Sequence, residues 1–355
     1  PFTHPDAQRR FRVIENVEEL RLALDYPWDK WTVFLHPSQR AVVERSFNGP
    51  ARIAGTAGTG KTVVALHRAV RLAAQSPSSR VLLTTFSEPL ARALAQKLEL
   101  LAGPSPGVVP RITVAALTRV ATELHELRTG RRPGIASDDL VQSLLAKALE
   151  AHAESGATLR FLLQEWRHVI DPWQIDSLEA YAEVPRLGRK NRMGAKQRER
   201  IWPIFADVKT NLAARGLTTW PAIYRQLGSL YGATDRKPFD HVVIDEAQDL
   251  GVSELRFLAA ISSEAPDALF FAGDLGQRIF QQPFSWKSLG VDVRGRSQTL
   301  KVNYRTSHQI REAADRLLPD TVRDIDGMAE ERAGTVSVFN GPPPAIQLAG
   351  DTEEE

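Results

Sequence analysis

The 355 residues are enough for two or three domains and exclude a small stapled scaffold. Forty-five Lys and Arg against 43 Asp and Glu leave a net charge of +2, so bulk charge implies no partner, and a nucleic-acid surface must concentrate its basic residues locally. The absence of Cys removes disulfides, thiolate metal sites and cysteine nucleophiles together.

No apolar stretch approaches the ~18 residues of a membrane span, and the polar run Pro1–Arg10 lacks a signal-peptide core, so a cytoplasmic location and no membrane partner are expected. The first residue is not Met and the last five are Asp351-Thr352-Glu353-Glu354-Glu355, which suggests a piece of a longer chain.

In chain order, residues 1–50 read as helices and loops leading into the first strand, with 1–33 as an N-terminal lead-in. Ala51–Ala54 is the first predicted strand, followed by a Gly/Thr loop and a helix from about Lys61 to Gln75 whose apolar residues cover more than one face. Val81–Phe86 and Arg111–Val114 are further strands, separated by a helix over Ala91–Leu101. Strand, helix, strand, helix, strand is the rhythm of a parallel sheet with crossover helices. From about 118 to 235 the patterning is helical, and strands resume at His241–Asp245, Ala268–Ala272 and Thr299–Asn303. The predicted fold is α/β, a parallel sheet interrupted by a helical insertion.

Gly55-Thr56-Ala57-Gly58-Thr59-Gly60-Lys61-Thr62 fits G-x-x-x-x-G-K-[ST] between a strand and a helix. The chemistry needs a backbone curled tightly enough to aim N–H groups at phosphate oxygens. Lys61 would reach the β- and γ-phosphates of ATP, Thr62 would ligate Mg²⁺, and the helix start adds its positive dipole end.

A second acidic motif, Asp245-Glu246 followed by Ala247-Gln248-Asp249, ends an apolar strand. Strand C-termini of a parallel sheet converge, so Asp245 can hold Mg²⁺ through water and Glu246 can orient or deprotonate the attacking water. The 184 residues from Lys61 to Asp245 exceed what the sheet needs, which again argues for an insertion.

With Asp245–Asp249 the chain resembles a UvrD/Rep-type superfamily 1 DNA helicase over about residues 34–345. Phe34–Arg40 resembles the family's Q motif, implying Gln39 as adenine reader. Thr84–Ser87 resembles motif Ia, implying Phe86 on single-stranded DNA. Ala272–Gln277 resembles motif III, implying Gln277 as γ-phosphate sensor. Val302-Asn303-Tyr304-Arg305 resembles motif IV, implying Tyr304 on the adenine and Arg305 on the γ-phosphate.

Wording around Arg40, Gln277–Phe280 and Asn303–Arg305 is also similar to a bacterial subgroup whose helicase core follows a RelE-like toxin domain. The resemblance implies a RecA-like P-loop NTPase domain over 34–117 and 236–295, a helical insertion domain over 118–235, and the incomplete start of a second RecA-like domain over 296–355. Motifs V and VI do not occur in these 355 residues, so a C-terminal motor half is an expected partner.

The pattern departs from the family in two places. Val114-Ala115-Ala116-Leu117 replaces the aromatic-His pair of motif Ib, and no DNA contact is assigned there. Trp286-Lys287 stands farther from Phe280 than the family's Trp-Arg pair, so Trp286 is either a base-stacking residue or a core Trp.

Arg186, Arg189, Lys190, Arg192, Lys196, Arg198 and Arg200 face only Glu199, a net charge of +6 across 186–200. That run either tracks DNA phosphates or is a solvated loop. Gly103-Pro104-Ser105-Pro106-Gly107 matches G-x-S-x-G, but its two prolines forbid a nucleophile elbow. The eight His show no zinc spacing.

The expected function is therefore an ATP-driven translocase on single-stranded DNA that unwinds duplexes, 3′ to 5′ by the resemblance. The alternative is a nucleotide-dependent module that remodels a protein partner such as RNA polymerase.

Overall fold

The computed structural model describes residues 35–103, 107–184, 193–274, 283–317, 321–327, 329–331 and 334–345. Helix α1 (Pro37–Glu44) leads into β1 (Ala51–Ala54), and the glycine-rich loop enters α2 (Lys61–Ala74). β2 (Val81–Thr85), α3 (Glu88–Ala102) and β3 (Ile112–Ala116) follow. Then come α4 (Leu117–Thr129), α5 (Asp138–Ala151), α6 (Leu159–Glu165), α7 (Leu178–Glu183), α8 (Ala195–Ala214) and α9 (Trp220–Gly232). β4 (His241–Ile244), α10 (Val252–Ile261), β5 (Leu269–Ala272) and β6 (Ser297–Thr299) complete a six-stranded sheet. Its order is β3-β2-β4-β5-β1-β6 and every pairing is parallel, the arrangement of a RecA-like P-loop fold.

The inner strands β1, β2, β4 and β5 are buried and mostly apolar because both sheet faces are covered there, whereas the edge strand β6 (Ser297-Gln298-Thr299) is polar and partly exposed, and successive residues feed opposite faces. Val242, Ile244, Leu269 and Phe271 pack on one side with α4, α9 and α10. Val243, Phe270, Ile53 and Leu83 pack on the other with α1, α2 and α3.

A third hydrophobic cluster runs from Val141 to Leu212 and belongs to the inserted helices alone. The separate core is thus narrower than 118–235, because α4 and α9 bury their apolar stripes on the main sheet rather than on the insertion. No helix among the described residues is long and apolar enough to cross a membrane.

The strand expected over 299–303 divides in two. Leu300 is buried against the sheet and its N–H donates to Ala54 O at 2.9 Å. Beyond it β7 (Val302–Asn303) leaves the main sheet and pairs in parallel with β10 (Val336–Ser337). Between them lie α11 (His308–Asp315) and the antiparallel pair β8 (Thr321–Arg323) and β9 (Ala329–Glu331).

A buried cation holds α1 in place. Arg68 of α2 is fully buried and donates to Val43 O at 2.7 Å and to Asp267 Oδ1 at 2.5 Å. That same carboxylate oxygen accepts the Phe47 N–H at 2.7 Å. Burial pulls the Arg68 pKa down to about 10 against the opposing pull of Asp267, so it stays charged at neutral pH.

Candidate nucleotide site

The loop between β1 and α2 is shaped by close neighbours. Gly60 caps α2 with φ +83°, in the left-handed region, and a Cβ there would lie 2.3 Å from Gln39 Nε2. No side chain caps α2, so the first-turn N–H groups and the helix dipole face the loop. Lys61 Nζ donates to Gly55 O at 2.7 Å and to Thr56 O at 3.2 Å, which sets its ammonium over the same loop.

Asp245 follows β4, the neighbour of β5 and β2 in the sheet, and its N–H donates to Thr84 O at 2.9 Å. It is 6% exposed, and burial, then the adjacent Glu246, pushes its carboxyl up to about 6 while Thr62 and Lys61 pull the other way. A buried carboxylate beside a hydroxyl and an ammonium fits a divalent cation with phosphate oxygens. Glu246 takes φ +57°, rare for a non-glycine residue and common where a site imposes it.

Gln248 lies in the Asp245–Asp249 motif, and the sequence alone implies no role for it. Its Nε2 donates to Glu246 Oε2 at 2.7 Å, and its Oε1 accepts the Asp274 N–H at 3.0 Å. This single amide joins the second residue after β4 to the second residue after β5. Only the return of β5 to the same sheet edge reveals it.

Gln39 is held between α1 and the loop. Its Oε1 accepts the His36 N–H at 2.9 Å and its Nε2 donates to Thr59 O at 2.9 Å. Tyr304 joins the same group: its ring lies 5.1 Å from that of His36, and its N–H donates to Gly58 O at 2.9 Å. Arg305 is exposed beside the loop. Gln39, the loop residues Gly55–Thr62, Asp245, Glu246, Tyr304 and Arg305 are therefore gathered at one end of the sheet. Gln277 lies outside the described residues.

The model of the UvrD/REP helicase N-terminal domain matches residues 35–283, more than half of the chain. The chain belongs to the UvrD/REP helicase family. Helicases of this family are ATP-hydrolysing motors on nucleic acid. No curated protein matches the chain.

For this UvrD/REP-type domain, the residues expected on DNA fare differently. Phe86, just past β2, is 56% exposed and offers an open ring face. Trp286 does not: it is 8% exposed, 4.7 Å from the Phe271 ring and part of the core beneath the sheet. Of the two readings of Trp286, base-stacking residue or core Trp, the structure corrects the first to the second, because a ring this buried is out of reach of a base. Lys287 beside it is exposed.

In the basic run, Arg189, Lys190 and Arg192 lie outside the described residues, as does Arg186. Lys196 and Arg200 are exposed on α8. Arg198 instead turns inward, donating to Tyr181 O at 2.7 Å and lying 5.5 Å from the Tyr181 ring centre. Of the G-x-S-x-G run, Pro104, Ser105 and Pro106 fall outside the described residues.

Proposed function

We propose that the chain binds ATP with Mg²⁺ at the loop after β1 and hydrolyses it to move 3′ to 5′ along single-stranded DNA. The observation that carries this reading is the meeting of three separate segments at one sheet edge: Lys61 with Thr62, Asp245 with Glu246, and Tyr304 with Arg305.

In this reading the loop N–H groups and Lys61 hold the β- and γ-phosphates, and Gln39 and Tyr304 hold the base. Thr62 and Asp245 would hold Mg²⁺, which when bound neutralises charge on the phosphate oxygens. Glu246, steadied by Gln248, orients and deprotonates the attacking water. Arg305 and Gln277 answer the charge that develops on the γ-phosphoryl group. Exposed Phe86 stacks on bases, while Lys287 and the 186–200 run serve phosphates.

The motor half that carries the family's remaining motifs is the proposed partner that completes the cleft. The chain by itself is expected to bind nucleotide weakly, hydrolyse it slowly and leave duplexes intact, since stepping needs two bodies that close and reopen.

Phosphate release with and without single-stranded DNA tests the reading. Stimulation by DNA, increased further when the C-terminal motor half is supplied, is the expected result. Turnover indifferent to DNA would favour a protein-remodelling ATPase instead.

A further inference from the structure

Asn303 is 1% exposed, and its amide is committed at both ends. Nδ2 donates to Ala57 O in the phosphate loop at 2.7 Å. Oδ1 accepts from the Arg305 N–H at 3.0 Å and the Thr306 N–H at 2.9 Å, closing the turn by which the chain leaves β7. The neighbouring peptide adds a second tie, from the Tyr304 N–H to Gly58 O at 2.9 Å.

The loop makes room for this. Gly58 has φ +85°, and a Cβ there would lie 2.5 Å from Asn303 Oδ1 and 3.0 Å from Arg305 Cβ. The two segments fit only with no side chain between them.

A buried amide bonded at both ends resists movement of either partner, because withdrawal leaves a peptide group unpaired. Here one partner is the loop that would cradle the phosphates, and the other is the backbone of Arg305. Electrostatic help to a phosphoryl group depends on where the guanidinium is held.

We infer that Asn303 is a positioning residue that fixes Arg305 relative to the phosphate loop, and so lets the site distinguish a nucleoside triphosphate from a diphosphate. The inference rests on the nucleotide reading above. Lys61 and the loop N–H groups serve the phosphates common to both nucleotides, whereas Arg305 serves the terminal one alone. Loss of Asn303 therefore weakens the triphosphate selectively.

The test is competitive titration of the full chain with ADP and with ATPγS, both in Mg²⁺, against a fluorescent nucleotide. Asn303→Ala should lower the preference for ATPγS over ADP by about tenfold, with the ADP Kd moving less than about twofold. Arg305→Ala should do the same, and the double variant should add little, because both act on one interaction. Asn303→Asp retains the acceptors for Arg305 and Thr306 but not the donor to Ala57, so it should lose the preference too, and it carries the test if the Ala variant does not fold.

Equal weakening of ADP and ATPγS by Asn303→Ala would mark a purely structural role and overturn the inference. An Asn303→Asp chain that discriminates like wild type would also overturn it. Wild-type binding that disappears in Lys61→Ala, with both Asn303 variants unaffected, removes this inference and leaves the nucleotide reading standing. A wild-type chain that binds neither nucleotide removes both.

Discussion

Arg68 and Asp267 form an ion pair at 2.5 Å, with the guanidinium fully buried and the carboxylate 6% exposed. Through it α2, which starts at the phosphate loop, is tied to the end of α1, which carries Gln39. Arg68→Met should cost roughly 3–5 kcal/mol, because it strands a buried carboxylate. Adding Asp267→Asn should recover part of that loss, since the amide oxygen can still accept the Phe47 N–H. Urea denaturation of the single and double variants checks this, and an additive double variant would contradict it.

Gln248 acts on Glu246 from a buried position between two strand ends. Glu246→Gln should stop turnover while nucleotide still binds, because the amide keeps the shape but cannot take a proton. Gln248→Ala should lower kcat by about tenfold with little change in nucleotide affinity, as expected for a loosened base. Phosphate release paired with nucleotide titration separates the two quantities.

Asp171 carries a pH dependence in the helical segment, away from the loop after β1. Its carboxylate accepts the Thr219 hydroxyl at 2.6 Å and the Gln174 amide at 2.8 Å. Burial pushes its pKa up to about 6, aided by Glu254 and opposed by Lys209. The folded chain then holds this proton more tightly than the unfolded chain, so its contribution to stability is present at low pH and is lost as pH rises from about 4 to about 6. The full swing is about 3 kcal/mol. Asp171→Asn should therefore gain stability relative to wild type between pH 4 and pH 7.5, measured by denaturant melts at both. A constant difference would contradict it.

Much of the motor core is legible locally. The phosphate loop, the strand that ends at Asp245 and the apolar runs of β1, β2, β4 and β5 each declare themselves within a few residues. What is hidden depends on contacts distant in sequence. Asn303 meets Ala57 across 246 positions, and Gln248 meets Asp274 across 26. The division of 299–303 into two strands follows from where Leu300 is buried, and an apolar pattern cannot say which of two sheets a strand joins. Trp286 was ambiguous for the same reason: its type suits both a core and a stacking platform, and only the approach of Phe271 decides.

Phe86 and Trp286 now predict opposite failures. Phe86→Ala should leave the fold intact and weaken single-stranded DNA binding by roughly 1–3 kcal/mol with little change in salt dependence, as for lost stacking. Trp286→Ala should cost roughly 3–5 kcal/mol of folding stability by opening a cavity against Phe271. DNA titrations at two salt concentrations and thermal melts distinguish them. A stable Trp286→Ala chain with weakened DNA binding would reverse the assignment.

The central claim is that the loop from Gly55 to Thr62 holds the phosphates of a hydrolysable nucleotide. Titration of wild type and Lys61→Ala with ATP in Mg²⁺, with phosphate release followed in the same samples, tests it most directly. Lys61→Ala deletes the charge proposed to meet the phosphates, together with two hydrogen bonds to the loop carbonyls of Gly55 and Thr56, and a thermal melt checks that the variant is folded. It should lose most ATP affinity and all turnover. Wild-type affinity and turnover in the folded Lys61→Ala chain would contradict the account.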